Sequence, residues 1–171
     1  MKAENLHMTL RFLGETEQRL VPELTAGIEE IAQQQAAFEV ALVELGGFST
    51  LRRGQAIWIG VGEGGDDQVL PPLQKQVERL ARELGWQRQR QAFKPHVTLA
   101  RVRGRGQRGR FGEDGPPMVP EQRFHMTGMT LFHSDLKPAG AEYQVLHCAE
   151  FGRDRSVPSQ KYVDILPPIH P

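Results

Sequence analysis

Two copies of one tetrapeptide, His7-Met8-Thr9-Leu10 and His96-Val97-Thr98-Leu99, lie in separate halves of the chain, each inside an apolar stretch that reads as a β-strand. Strand side chains alternate between faces, so His7 and Thr9 share one side while Leu6, Met8, Leu10 and Phe12 share the other. His96 and Thr98 are likewise opposed to Val97 and Leu99. Each strand is expected to pack its apolar side and to present an imidazole beside a hydroxyl. From ordinary composition, His followed by Thr two places on and Leu three places on arises roughly once per couple of hundred histidines. Two occurrences among six histidines, in equivalent settings, have a joint chance on the order of one in a thousand. A duplicated unit with duplicated chemistry is the better reading.

Along the chain, residues 5–13 read as a strand closed by Gly14, and Thr16 as a cap for a helix with apolar positions Leu20, Leu24, Ile28 and Ile31. Residues 38–45 alternate as a strand, Gly46 and Gly47 break it, and residues 56–61 form another apolar run. A second helix is predicted over 68–84, with Leu70, Leu73, Val77, Leu80 and Leu84 on one side, Pro71 and Pro72 in its opening turn and Gly85 at its end. The second motif strand follows. Residues 101–120, rich in arginine, glycine and proline, hold too little apolar content to pack and read as a connector or as a loop folded over RNA phosphates. Two more strands are expected over 124–132 and 143–151, then a loosely attached tail over 152–171.

The second motif strand is preceded by its own strand and helix, whereas the first begins a few residues after Met1. Two lobes built alike would leave the first without a strand and a covering helix. The expected fold is therefore α+β and bilobal with pseudo-two-fold symmetry. Two antiparallel sheets line a central cleft, helices pack outside, and one domain spans residues 1–151 with its first lobe short of an N-terminal strand and helix.

Composition sets outer bounds. The chain has 171 residues, 39% of them hydrophobic, with 21 basic against 21 acidic side chains. Zero net charge means that an anionic ligand must be drawn by a local patch and not by the field of the whole molecule. No apolar run has membrane-spanning length and no basic-then-apolar leader opens the chain, so a cytoplasmic protein without membrane contact is expected, with a monomer as the default. The single Cys148 falls in an alternating run and is expected to be a small buried hydrophobe without a catalytic role.

Around the two tetrapeptides stand Glu4-Asn5-Leu6, Arg11-Phe12-Leu13-Gly14-Glu15, Phe93-Lys94-Pro95 and Ala100-Arg101. Further on come Leu131-Phe132-His133-Ser134-Asp135-Leu136, Pro138, Gly140 and Tyr143. Together they resemble the two-histidine phosphoesterase superfamily, and within it the RNA 2′,3′-cyclic phosphodiesterases, also called 2′-5′ RNA ligases. The resemblance implies hydrolysis of RNA 2′,3′-cyclic phosphate ends to 2′-phosphates without metal or cofactor. It also implies ATP-independent 2′-5′ ligation as the reverse reaction. It further implies that His7 is the proton donor, His96 the proton acceptor, and Arg101 a phosphate contact, and that RNA or nucleotides with cyclic phosphate ends are the partners. The same cleft could instead belong to an RNA-end-binding module without turnover.

The residue types suit that chemistry. Opening a cyclic phosphate requires a base to deprotonate water and an acid to protonate the departing ribose oxygen on the opposite side of phosphorus. Histidine, with an ordinary pKa near 6.5, fills either role at neutral pH. Thr9 and Thr98, two residues along on the same faces, can donate hydroxyl hydrogen bonds to the non-bridging oxygens. Strict alternation puts Arg101 on the wrong face unless a bulge brings it round. Arg11 has the right parity for phosphate but could equally be a lobe-edge cation. A metal held by His7 and His96 is a weak alternative, since no further ligand sits at suitable spacing beside either. Trp58 and Trp86 read as packing residues, and His125, His133, His147 and His170 as ordinary strand, turn or tail residues.

Overall fold

The computed structural model describes residues 5–48, 56–63, 68–101, 118–120, 122–137 and 140–152. Residues 102–117 and 153–171, where the arginine-rich connector and most of the tail were expected, lie outside the described residues. The element order is α1 (Val21–Gln34), β1 (Phe38–Phe48), β2 (Ala56–Glu63), α2 (Leu70–Glu83), β3 (His96–Arg101), β4 (Arg123–Met126), β5 (Gly128–Lys137) and β6 (Gly140–Glu150). All strand pairing is antiparallel. One sheet has four strands in the order β3-β2-β1-β4, and the other is the β5-β6 pair. The α+β class with two antiparallel sheets matches expectation, but the sheets are unequal.

Both helices follow the amphipathic pattern. Prolines are confined to their first turns, where the missing N–H would have no intrahelical partner. Leu24, Ile28, Ile31 and Ala32 of α1 are buried with Leu73 of α2, Leu131 of β5, and Ala149 and Phe151 at the end of β6. A second cluster of Val40, Val61 and Leu70 packs the start of α2 on the larger sheet and takes in Met8 and Val97. Thr16 does not cap α1: its hydroxyl donates to Gly14 O at 3.2 Å, and a 3₁₀ turn at Gln18–Leu20 leads into the helix instead. Helix α2 ends in paired closing bonds, Trp86 N–H to Ala81 O at 2.9 Å and Gly85 N–H to Arg82 O at 3.1 Å. They require the left-handed φ of +103° that Gly85 adopts.

The structure corrects the strand readings in three places. Gly46 and Gly47 do not break β1, which runs on to Phe48 with Gly46 opposite Trp58 and Gly47 opposite Ile57. Residues 5–13 form no ladder; their strand-like contact is an isolated antiparallel bridge between Met8 and Val97. Without flanking ladder bonds the expected apolar face is only partly buried. Met8 and Leu10 pack inward, whereas Leu6 and Phe12 are exposed. The run expected as one strand over 124–132 is two strands split at Thr127, β4 pairing with β1 in the larger sheet and β5 with β6 in the smaller. Cys148 is exposed, because in β6 it is the neighbouring Ala149 that turns inward at 2% exposure.

Gly128 starts β5 where the chain changes sheets, and a Cβ there would stand 2.5 Å from Ala149 O. The obstacle is backbone, so the strand pair must separate to admit a methyl group. Gly128→Ala is expected to lower stability by about 1–3 kcal/mol in chemical denaturation. A second outcome concerns the α1–β6 contact, where His147 Nε2 lies 2.9 Å from Glu29 Oε2. The His147 hydrogen bond, with a smaller one from Gln33, holds the Glu29 carboxyl below its ordinary 4.5. A depressed carboxyl stabilises the fold above its unfolded pKa and loses that contribution as pH falls through the folded one. The Tm advantage of wild type over Glu29→Gln is therefore expected at neutral pH, to start declining as pH falls to about 4.5, and to be lost as it falls on through the lower folded value.

Candidate active site

The bridge between Met8 and Val97 joins the same position of the two tetrapeptides. Antiparallel pairing there sets His7 opposite Thr98 and Thr9 opposite His96, all four on the face away from Met8 and Val97. In regular antiparallel pairing the diagonal relation of the two histidines corresponds to roughly 7–8 Å. An approximate dyad thus passes through the bridge, and each histidine stands opposite the threonine of the other motif.

The two rings are held alike. His7 Nδ1 lies 2.8 Å from Asn5 O, and His96 Nδ1 lies 2.6 Å from Lys94 O, each two residues back. A carbonyl only accepts, so Nδ1 carries the hydrogen in both rings and Nε2 is the position left to exchange a proton. The arrangement serves a neutral ring, with an Nε2 lone pair, and a protonated ring, with an Nε2–H donor. His7, His96 and Thr98 are half-buried and Thr9 is exposed.

Each histidine also has aromatic neighbours. The Tyr143 ring meets His7 edge-on at 4.9 Å between centroids, with Phe132 at 6.1 Å, and Phe132 and Tyr143 contact one another at 5.9 Å. Trp58 meets His96 edge-on at 5.9 Å. It pairs with Thr98 on one side and Gly46 on the other. Trp58 is thus a neighbour of the site and not only a packing residue. These aromatic neighbours escaped the sequence reading, because the parity of Phe132 and Tyr143 gives no hint that their hairpin stands beside the first motif.

Arg101 returns to the site face. Thr98 pairs with Trp58 and Ala100 with Ile57, leaving Leu99 as the extra residue of a bulge. Arg101 then falls opposite Ala56, in phase with Trp58, and is exposed.

Arg11 is neither a phosphate contact nor a free edge cation. Its side chain is 8% exposed; Nε pairs with Glu78 Oε2 at 3.0 Å, Nη2 donates to Gln87 O at 2.7 Å, and Nη1 to Gln89 Oε1 at 3.2 Å. Glu78 in turn accepts from Gln89 N–H at 2.9 Å. Trp86 Nε1–H donates to Leu13 O at 2.9 Å. These side-chain ties from α2 and the segment after it hold the first motif where it has no ladder. Of the remaining histidines, His147 bonds Glu29, His125 stands 3.9 Å from Glu39, His133 is exposed, and His170 lies outside the described residues.

Two antiparallel sheets and paired His-x-Thr-Leu segments joined at one bridge define a protein of the two-histidine phosphoesterase class. The sequence profile of the 2′-5′ RNA ligase superfamily matches residues 1–137. The chain belongs to that superfamily. It is 37% identical over 101 residues to an RNA 2′,3′-cyclic phosphodiesterase of Aeropyrum pernix, covering 59% of this chain and 55% of that protein. A protein of the same description from Thermus thermophilus is 31% identical over 161 residues, covering 88% and 76%. The match thus spans little more than half the length of the Aeropyrum protein. Crystal structures of TT0787 of Thermus thermophilus and of E. coli LigT complexed with 3′-AMP share the fold. The first has a TM-score of 0.69 at 27% identity over 85% of this chain and 78% of that one. The second has a TM-score of 0.63 at 24% identity over 88% and 79%. Among the described residues no helix is long and apolar enough to cross a membrane.

Removing the Arg11 clamp is expected to cost about 3 kcal/mol, because the largely buried Glu78 carboxylate loses its countercharge and keeps only the Gln89 N–H bond. In urea unfolding, Arg11→Met should show that loss, and Arg11→Met with Glu78→Met should recover a substantial part of it.

Proposed function

We propose that the chain hydrolyses RNA 2′,3′-cyclic phosphate ends to 2′-phosphates by paired acid–base catalysis. The observation that carries this reading is the matched anchoring of His7 and His96 on the two sides of one bridge, each with Nε2 as its exchanging nitrogen. His96 Nε2 takes the proton of the attacking water, whose oxygen bonds to phosphorus. The bond to the 3′ oxygen breaks, and His7 Nε2–H gives that oxygen its proton. Thr9 and Thr98 donate to the non-bridging oxygens, where charge grows in the transition state, and Arg101 adds a guanidinium on the same face. Residues 1–151 act as one bilobal unit, with 152–171 appended and a monomer as the working form.

Ligation is not the reverse of this hydrolysis, as the resemblance implied, but the same displacement with a different nucleophile. The 5′-hydroxyl of a second RNA occupies the place of the attacking water and not that of the leaving oxygen. Its oxygen bonds to phosphorus, its proton goes to His96, and the 3′ oxygen leaves with the proton from His7. The product is a 2′-5′ linkage made without ATP, and cleavage of that linkage is the reverse of this step.

The test is the pH profile of cleavage of a nucleoside 2′,3′-cyclic phosphate in excess EDTA, for wild type, His7→Ala and His96→Ala, with the product phosphate located. A bell-shaped profile, a 2′-phosphate product and losses of about 10²–10⁴ in each variant are expected. A folded wild type that binds the cyclic nucleotide without turning it over would instead make the protein an RNA-end-binding module.

A further inference from the structure

The aromatic neighbours of the two histidines are divided between the two sides of the bridge, and in-line chemistry gives that division a meaning. Attacking and leaving oxygens stand on opposite sides of phosphorus. The 3′ oxygen leaves toward His7, so the ribose and base of the cyclic-phosphate nucleotide lie on the His7 side, where Phe132 and Tyr143 stand. The nucleophile enters beside His96, where Trp58 stands. In hydrolysis that side holds only water. In 2′-5′ joining or cleavage it must hold a second nucleoside through its 5′ oxygen.

Trp58 is built to face that side. Its pairing with Thr98 puts it in phase with the hydroxyl of the second motif. Its indole lies across Gly46, where a Cβ would come within 2.2 Å of the ring. Only a residue without a side chain lets the indole lie flat over the neighbouring strand, half-buried and edge-on to His96. An indole can stack on any base through its π-face.

We infer that Trp58, seated on Gly46, is the platform for the nucleoside attached through its 5′ oxygen, and so selects 2′-5′-linked RNA against simple hydrolysis, while Phe132 and Tyr143 serve the cyclic-phosphate nucleotide. This rests on the acid–base reading above. In the cleavage step the ribose 3′-hydroxyl adds to phosphorus, giving its proton to His7. The phosphorus–O5′ bond breaks, and the departing 5′ oxygen takes its proton from His96, releasing a nucleoside and a 2′,3′-cyclic phosphate.

Two substrates distinguish the roles in one preparation: adenosine 2′,3′-cyclic phosphate, and a 2′-5′-linked diadenosine monophosphate followed by adenosine release. Loss of one base stack corresponds to roughly 5- to 150-fold in kcat/KM. Trp58→Ala is expected to lower the ratio of 2′-5′ cleavage to cyclic-phosphate hydrolysis at least tenfold, chiefly through KM, and Trp58→Phe to restore most of it. Phe132→Ala should lower both activities in proportion, because both substrates carry the nucleotide on that side. Proportional loss of both activities in both Trp58 variants would make Trp58 a support for His96 alone and overturn the inference, as would an unchanged ratio. Wild type that hydrolyses the cyclic phosphate but leaves the 2′-5′ dinucleotide intact would overturn the inference while leaving the acid–base reading in place. Failure on both substrates would overturn both.

Discussion

One backbone bridge, between Met8 and Val97, fixes the relation of the two halves of the site. Because it joins the same position of two identical patterns, it places two imidazoles and two hydroxyls on one face by approximate symmetry. The apolar side chains of the bridged residues point the other way, into the cluster around Val40, Val61 and Leu70. Burial of Met8 and Val97 and presentation of the histidines are thus one event: a one-residue slip of either segment would turn its histidine inward and its apolar residue outward.

Support for the two motifs is unequal. The second lies in a ladder, with β3 hydrogen-bonded along β2, and its bulge at Leu99 re-aims the strand end without loosening the pairing before it. The first is held by side chains in place of a ladder: the buried Arg11 guanidinium against Glu78, Gln87 and Gln89, and the Trp86 indole on Leu13 O. All of these come from the last turns of α2 or the segment leading to β3. The segment that ends at one histidine therefore also positions the other, and a disturbance there reaches both sides of the site.

Period-2 and helical patterns made the elements legible because those patterns are local. Both helices and the motif pairing of His with Thr could be read directly from the apolar positions over 20–31 and 70–84 and from the tetrapeptides. Local patterns were insufficient where distant segments decide the outcome. The division at Thr127 depends on which sheet each half of the run joins; the shift of apolar positions from 124 and 126 to 129 and 131 across Gly128 marks an irregularity there, but a local pattern does not tell a bulge within one strand from a change of sheet. The parity rule misplaced Arg101 because a bulge reverses parity, and Leu99, an ordinary strand residue, does not announce one. Arg11 carries the right parity for a ligand contact yet is bound by three groups 67 to 78 residues away in sequence. The aromatic neighbours of His7 come from a hairpin about 130 residues on.

The balance of charge bears on how such a site would hold phosphate. Arg11, Arg19, Arg79, Arg123 and Lys137 each face a carboxylate, of Glu78, Glu17, Glu83, Glu39 and Glu142 respectively. Arg123 and Glu39 stand on the same face of the larger sheet as His96, at its far edge, so even there the cation is matched. Among the described residues Arg101 has no such carboxylate partner, and it sits where the bulge has turned it toward the histidines. On the proposed reading, an anion at the bridge would meet two imidazoles, two hydroxyls and the Arg101 guanidinium from the described residues. With the whole chain neutral, attraction is confined to within about a Debye length, roughly 8–10 Å. On the proposed reading, what the described residues offer an RNA end is close hydrogen bonding to a single phosphate and stacking of the attached bases.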